Sequence, residues 1–277
     1  MADTRDEVKL ISRQRWTIKS VEFTVVSGNI SESRPLPVRE LWRDDVTTSQ
    51  SDLWSIGVNT NESRLAFTRT YAGVAELKNL DLSSCKPTCA SPTTLLAPIS
   101  DLFGAQFGRA GDDRLYYWHR AADYSWWQIG FYENAGGPLS GPVVVVDSSH
   151  PRYQGTRAGG PRISGVFRGT PSSDDMMAFG WVRVLGTDSM TDVIQVGAGC
   201  VPGLPTSCLA SGAATIVAQD VPQSPGSSTA EWTPSGFLHR LIQPGDGTYR
   251  ILTADPLFPS QVLFDHGVGN LPAGLKQ

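Results

Sequence analysis

The chain has 277 residues, 40% hydrophobic and 18% charged, with a formal net charge of −4. That length supports a sizeable core in a single all-β domain. The charge offers no basic face for nucleic acid, and no apolar run reaches the roughly 18 residues of a membrane-spanning helix.

In chain order, the opening MADTRDEVKLISRQRW has no apolar signal-peptide core. Residues 1–50 read as an N-terminal arm and hairpin, with SVEFTVVSGN and LPVRELWRD as its strands and Ser31–Pro37 as a polar turn. Beyond residue 50 the strand-like segments fall into four groups of four. They are 54–58, 64–69, 75–82 and 93–97, then 103–107, 114–119, 126–133 and 142–146. The third group is 163–168, 176–183, 191–197 and 214–218, and the fourth 228–232, 236–242, 248–253 and 261–264. Ala75–Leu82 alternates with period 2, Val143–Val146 is a continuous apolar run, and Asp246-Gly247 is a two-residue hairpin signal. No segment shows sustained, capped helical spacing.

Each group carries the same motif: an apolar strand, a polar turn of Asp, Asn, Ser and Gly, and a second strand. Leu65, Leu115, Met177 and Leu238 occupy matching positions, at steps of 50, 62 and 61 residues. A repeat of about 40–50 residues with several strands per unit is the mark of a β-propeller. The expected fold is therefore all-β, a propeller of four or five blades, each a four-stranded antiparallel sheet. Residues 51–277 supply the repeats, and 17–47 either complete the last blade or form the outer half of a fifth, because a sheet edge left open invites mispairing.

Cys85 and Cys89, and Cys200 and Cys208, sit in equivalent turns of their repeats. Even, paired cysteines in turns read as two local disulfides made in an oxidising compartment, secreted or periplasmic. Export would require that the Met-Ala start replace a removed leader. The competing reading is a four-cysteine zinc site, but the spacings depart from the compact zinc-ribbon pattern.

The segments VNTNESRLAFTR, RAGDDRLYYWHR, PSSDDMMAFGWV and WTPSGFLHRL resemble the TolB-like propeller repeat, whose core runs Ser-Pro-Asp-Gly, two residues, an apolar residue, Ala, then Phe or Tyr. LKNLDL (Leu77–Leu82) resembles its later aliphatic-x-Asp-Leu strand. The first unit lacks the Pro-Asp-Gly core, and the last has Thr233-Pro234-Ser235-Gly236 without the Asp. The resemblance spans about residues 51–265. It implies a periplasmic or secreted propeller that binds other proteins or serves as an accessory domain, and it brings no catalytic residue.

Two clusters are candidate ligand-binding sites. The connection DSSHPRYQGTRAGGPRI holds His150, Arg152, Arg157 and Arg162, with Arg168 just beyond. Arginines pair bidentately with carboxylates and phosphates, so an anionic ligand or an acidic partner segment is expected there; the alternative is a solvated inter-blade loop. Tyr124, Trp126 and Trp127 close the densest aromatic stretch. Exposed, they would anchor a protein or stack on a sugar; turned inward, they would fill the core. No hydrolase elbow, zinc-protease motif, phosphate loop or dinucleotide fingerprint occurs. The reading is a non-enzymatic scaffold for a protein or peptide, without cofactor or metal, with carbohydrate binding as its alternative and the accessory propeller of an enzyme as a third.

Overall fold

Alternating apolar residues pin strand register by burying one face, and in this chain several strands bury both. The computed structural model describes residues 15–20, 24–26, 29–31, 39–59, 63–83, 85, 89–99, 101–108, 114–121, 123–133, 140–164, 174–183, 189–223, 231–232, 236–242, 249–255, 258 and 261–269. It divides into two compact units, residues 1–99 and 100–277. No described helix is long and apolar enough to cross a membrane.

In the first unit, β1 (Thr17–Ser20) pairs with β4 (Arg39–Arg43), while β2 (Thr24–Val26) and β3 (Asn29–Ser31) form their own small hairpin. This corrects the expected pairing of 20–29 with 36–44. The reason is burial: Ile18 packs with Leu65, Phe67 and Leu80, so β1 rather than the following segment lies opposite β4. The strands β5 (Ser51–Val58), β6 (Arg64–Tyr71), β7 (Val74–Asp81) and β8 (Thr93–Ile99) form an antiparallel meander. Asn59 closes the β5–β6 turn by accepting the Arg64 N–H at 2.8 Å. Ala72 and Gly73, with φ of 50° and 78°, make the two-residue β6–β7 turn.

Among the described residues, the second unit holds three sheets. The first is the meander β9 (Asp101–Phe107), β10 (Arg114–Arg120), β11 (Trp127–Glu133) and β12 (Ser140–Asp147). Next, β13 (Thr156–Ala158) and β14 (Arg162–Ser164) both pair with β15 (Asp175–Arg183), followed by β16 (Ser189–Val196) and β17 (Ala214–Gln223). Last come β18 (Glu231–Trp232), β19 (Leu238–Ile242), β20 (Tyr249–Ala254) and β21 (Val262–Gly269). Alternation along β15 explains the stacking. Met177, Phe179 and Trp181 join a core with Tyr116, Phe131 and Val145 of the β9–β12 sheet. Met176 and Ala178 face the other way, onto Leu238 and Trp232.

Both cysteine pairs, Cys85–Cys89 and Cys200–Cys208, lie at disulfide bonding distance. The second bridge closes onto a single helical turn, α1 (Cys208–Ser211). Arg114 straps the same loop by donating to the carbonyls of Val196, Gly197 and Cys200, each at 3.3 Å.

Candidate functional site

The connection from β12 to β14, expected as either an anion-binding loop or a solvated inter-blade loop, is fixed by what it buries. Pro151–Tyr153 form a 3-10 turn, capped by the His150 Nδ1, which accepts the Arg152 N–H at 3.3 Å. The Tyr153 ring is fully buried against Trp127, Phe179 and Trp181. Its hydroxyl donates to Asp192 at 2.6 Å. Arg152 also donates to that carboxylate, from Nε at 2.6 Å and Nη2 at 3.0 Å, and reaches Asp220 at 3.0 Å. The Asp192 carboxylate thereby holds the Arg152 guanidinium above its ordinary pKa, and burial pushes the Tyr153 phenol up. Arg152, a sequence candidate for ligand binding, is thus spent on fixing the connection.

That anchorage presents Arg157, exposed in the middle of β13 between the buried Thr156 and Ala158. Its guanidinium lies over the Tyr124 ring, 4.3 Å from the centroid. Arg120, at the end of β10, lies over the same ring at 3.6 Å. Two cations sharing one aromatic ring repel each other, and the ring quadrupole offsets part of that repulsion. Among the described residues no carboxylate pairs with Arg157.

Tyr124 reaches this place through an uncommon backbone. Its φ is +60°, a left-handed conformation that strains a bulky residue by roughly 1–3 kcal/mol. Ala121 and Trp126 close the hairpin tip through a 2.9 Å hydrogen bond, and the Asp123 carboxylate caps the Ser125 N–H at 2.9 Å. Trp126 is 41% exposed, and the His119 ring meets it edge-on at 4.7 Å.

Trp127, paired with Trp126 in the sequence reading, is 2% exposed. Its indole N–H donates to the Thr156 carbonyl at 3.1 Å, so it belongs to the core and not to the open face. Arg162 sits in β14, opposite Ala178, where its carbonyl accepts the Trp232 indole N–H at 2.9 Å. Arg168 lies outside the described residues. Of the eight sequence candidates, the structure brings together Tyr124, Trp126 and Arg157. It adds Arg120 and His119, whose signal was their place at the strand end beside the aromatic run. Ser149 donates to Asp147, while His150 is occupied with Arg152 N–H, so no serine–histidine relay forms among these neighbours.

His119 gives a pH signature. Burial lowers its pKa from the ordinary 6.5, with Gln128 opposing. The folded state therefore binds fewer protons than the unfolded state once pH falls below about 6.5, and stability falls with it. We expect His119→Gln, which cannot titrate, to melt below wild type at pH 7.5 and to close that gap by pH 5. An unchanged gap in thermal unfolding would remove His119 from this account.

No family model matches the chain, and no curated protein matches it. Among solved structures it is similar to TolB from Acinetobacter baumannii, at 13% identity and TM-score 0.44, covering 88% of this chain and 50% of that one. It is similar to the β-propeller domain of the Trilobed protease from Pyrococcus furiosus, at 9% identity and TM-score 0.48, covering 93% and 64%. A third is the periplasmic gluconolactonase of Pseudomonas aeruginosa, at 12% identity and TM-score 0.46, covering 93% and 65%. The chain thus spans between half and two thirds of the length of these three.

Proposed function

We propose that this chain is a non-enzymatic, exported scaffold of the TolB-like propeller type, with four or five blades, that binds an acidic segment of a protein partner. The observation that carries this is the cluster at the β10–β11 tip: Arg120 and Arg157 over Tyr124, beside the exposed Trp126. The Arg157 guanidinium, stacked on the ring, keeps its N–H edge for a carboxylate, and a neighbouring exposed Trp supplies an apolar anchor. The repeated four-stranded sheets support the architecture, and the two cysteine pairs support an oxidising compartment. Carbohydrate stacking is disfavoured at this tip, because Tyr124 already carries two guanidiniums and Trp127 is buried.

The test is fluorescence anisotropy with labelled heptapeptides carrying two Asp or Glu residues beside a Phe, against amide isosteres of the same peptides. We expect saturable binding of the acidic set, weakened about tenfold by Arg157→Gln, in line with loss of one charge-assisted pair. Tyr124→Gly suits the left-handed backbone, so it should weaken binding as much while moving stability by no more than about 1 kcal/mol. Equal binding of acidic and amide peptides, or indifference to Arg157→Gln, would overturn the reading.

A further inference from the structure

The last sheet of the second unit brings together two histidines that lie far apart in the chain. His239 on β19 is the ladder partner of Thr253 on β20, and Thr253 is the partner of Phe264 on β21. Direct partners share a face of the sheet, and His266, two residues beyond Phe264 on the same strand, shares it too. The side chains agree with the register. The His239 Nδ1 lies 2.9 Å from the Thr253 Oγ1, and the His266 Nε2 lies 2.7 Å from that same oxygen. The two imidazoles meet edge-on with their centroids 5.2 Å apart, and Phe264 meets the His266 ring edge-on at 4.7 Å.

The other face of this sheet does the packing. Leu238, Leu252 and Ala254 are buried, and Leu238 joins the core built on Met176 and Ala178. The histidine face is open: Ile251, Phe264 and His266 are all exposed. Charge is also divided between the faces. Arg250 pairs with Asp265 at 3.2 Å, and the register puts both on the Leu252 side, so that cation is kept away from the imidazoles. Glu231, by contrast, is the ladder partner of His239, which places an acidic residue on the histidine face.

Two ring nitrogens from different strands are thus aimed at one point, which the Thr253 hydroxyl occupies. That hydroxyl has a single proton, so it donates to one ring and accepts an N–H from the other. A hydrogen bond open to water is readily exchanged, and turning the hydroxyl aside frees the point between the rings. Imidazole nitrogens hold divalent transition metals at about 2.0–2.1 Å, a little inside the distances they keep from the hydroxyl. We propose that His239 and His266 form a two-histidine site for a divalent transition-metal ion, with the Thr253 hydroxyl displaced and water completing the coordination. For nitrogen donors Cu(II) binds above Ni(II) and Zn(II), while Mg(II) prefers an all-oxygen shell. The site goes beyond the sequence reading, in which these histidines shared no motif, and it uses no residue of the acidic-partner site.

The experiment is titration of the metal-stripped full chain with Cu(II), read by calorimetry and by electron paramagnetic resonance, with Zn(II), Ni(II) and Mg(II) in parallel. We expect one Cu(II) per chain in a tetragonal environment with two nitrogen ligands, weaker binding of Zn(II) and Ni(II), and none of Mg(II). His266→Gln and His239→Gln should each weaken Cu(II) binding by about 100-fold and leave a single nitrogen ligand. His266 is exposed, so His266→Gln should keep the wild-type melting midpoint without metal, and its loss of copper is then not a loss of fold. His150→Gln, at the capped turn, should bind copper as wild type does. A dissociation constant above about 1 mM, a copper spectrum unchanged in both His239→Gln and His266→Gln, or tighter binding of Mg(II) than of Cu(II) would overturn the proposal. Acidic-peptide anisotropy with Arg157→Gln tests the other reading on separate residues, so either can fail alone.

Discussion

Asp192→Ala should destabilise the protein by about 3–5 kcal/mol, the magnitude seen when one partner of a buried ion pair is removed. Asp192 is fully buried and accepts four hydrogen bonds, from Arg152 Nε and Nη2, the Tyr153 hydroxyl and the Asp220 N–H. Truncation strands three donor groups at once. Arg152 retains Asp220 at 3.0 Å, but that carboxylate is half exposed and screened, so the loss stays near the lower end of the range. The midpoint of thermal unfolding should drop by on the order of 10 °C. Asp192→Asn, which keeps the shape but turns an amide toward donors, should fall in between. Acidic-peptide affinity should fall as well, although Asp192 lies beneath the connection, because the connection it anchors presents Arg157. A variant with an unchanged midpoint would show that the network is not what orders residues 150–158.

Elements set by local chemistry were legible in the sequence. The turn residues and period-2 alternation placed 114–119 and 75–82 as strands, and the structure has β10 at Arg114–Arg120 and β7 at Val74–Asp81. Cysteines four and eight residues apart could be paired because each partner is close in the chain. Contacts between distant segments were not legible. Nothing near Arg152 announces Asp192, 40 residues on, so the arginines of 150–168 read as free cations when one of them is an internal tie. The same limit applies to the N-terminal ladder, where Ile18 of β1 meets Leu65 and Phe67. The aromatic and arginine clusters also looked like two sites. The left-handed turn at Tyr124 swings its ring under Arg157 and makes them one, a juxtaposition no spacing rule encodes.

The neighbouring tryptophans at 126 and 127 show what alternation can and cannot decide. It states that adjacent residues on a strand point to opposite faces, but not which of the two faces is covered. The core decides: Trp127 lies among Tyr153 and Phe179 at 5.6 and 5.8 Å and donates to the Thr156 carbonyl. We therefore expect Trp127→Ala to lose about 3–5 kcal/mol, as for other buried aromatics truncated to Ala, whereas Trp126→Ala on the open surface should stay within about 0.5 kcal/mol of wild type. Trp127→Phe separates the two parts of the effect, since it keeps most of the buried ring and removes only the indole N–H, at about 1–2 kcal/mol. In peptide binding the order reverses. Trp126→Ala should weaken the acidic heptapeptides directly, while Trp127→Phe, once folded, should bind them nearly as wild type. Denaturant unfolding and anisotropy on the same three variants read both scales. If Trp127→Ala unfolds at the wild-type midpoint yet loses the peptide, the ring belongs to the binding face, and the packing of β11 against the 150–158 connection must be redrawn.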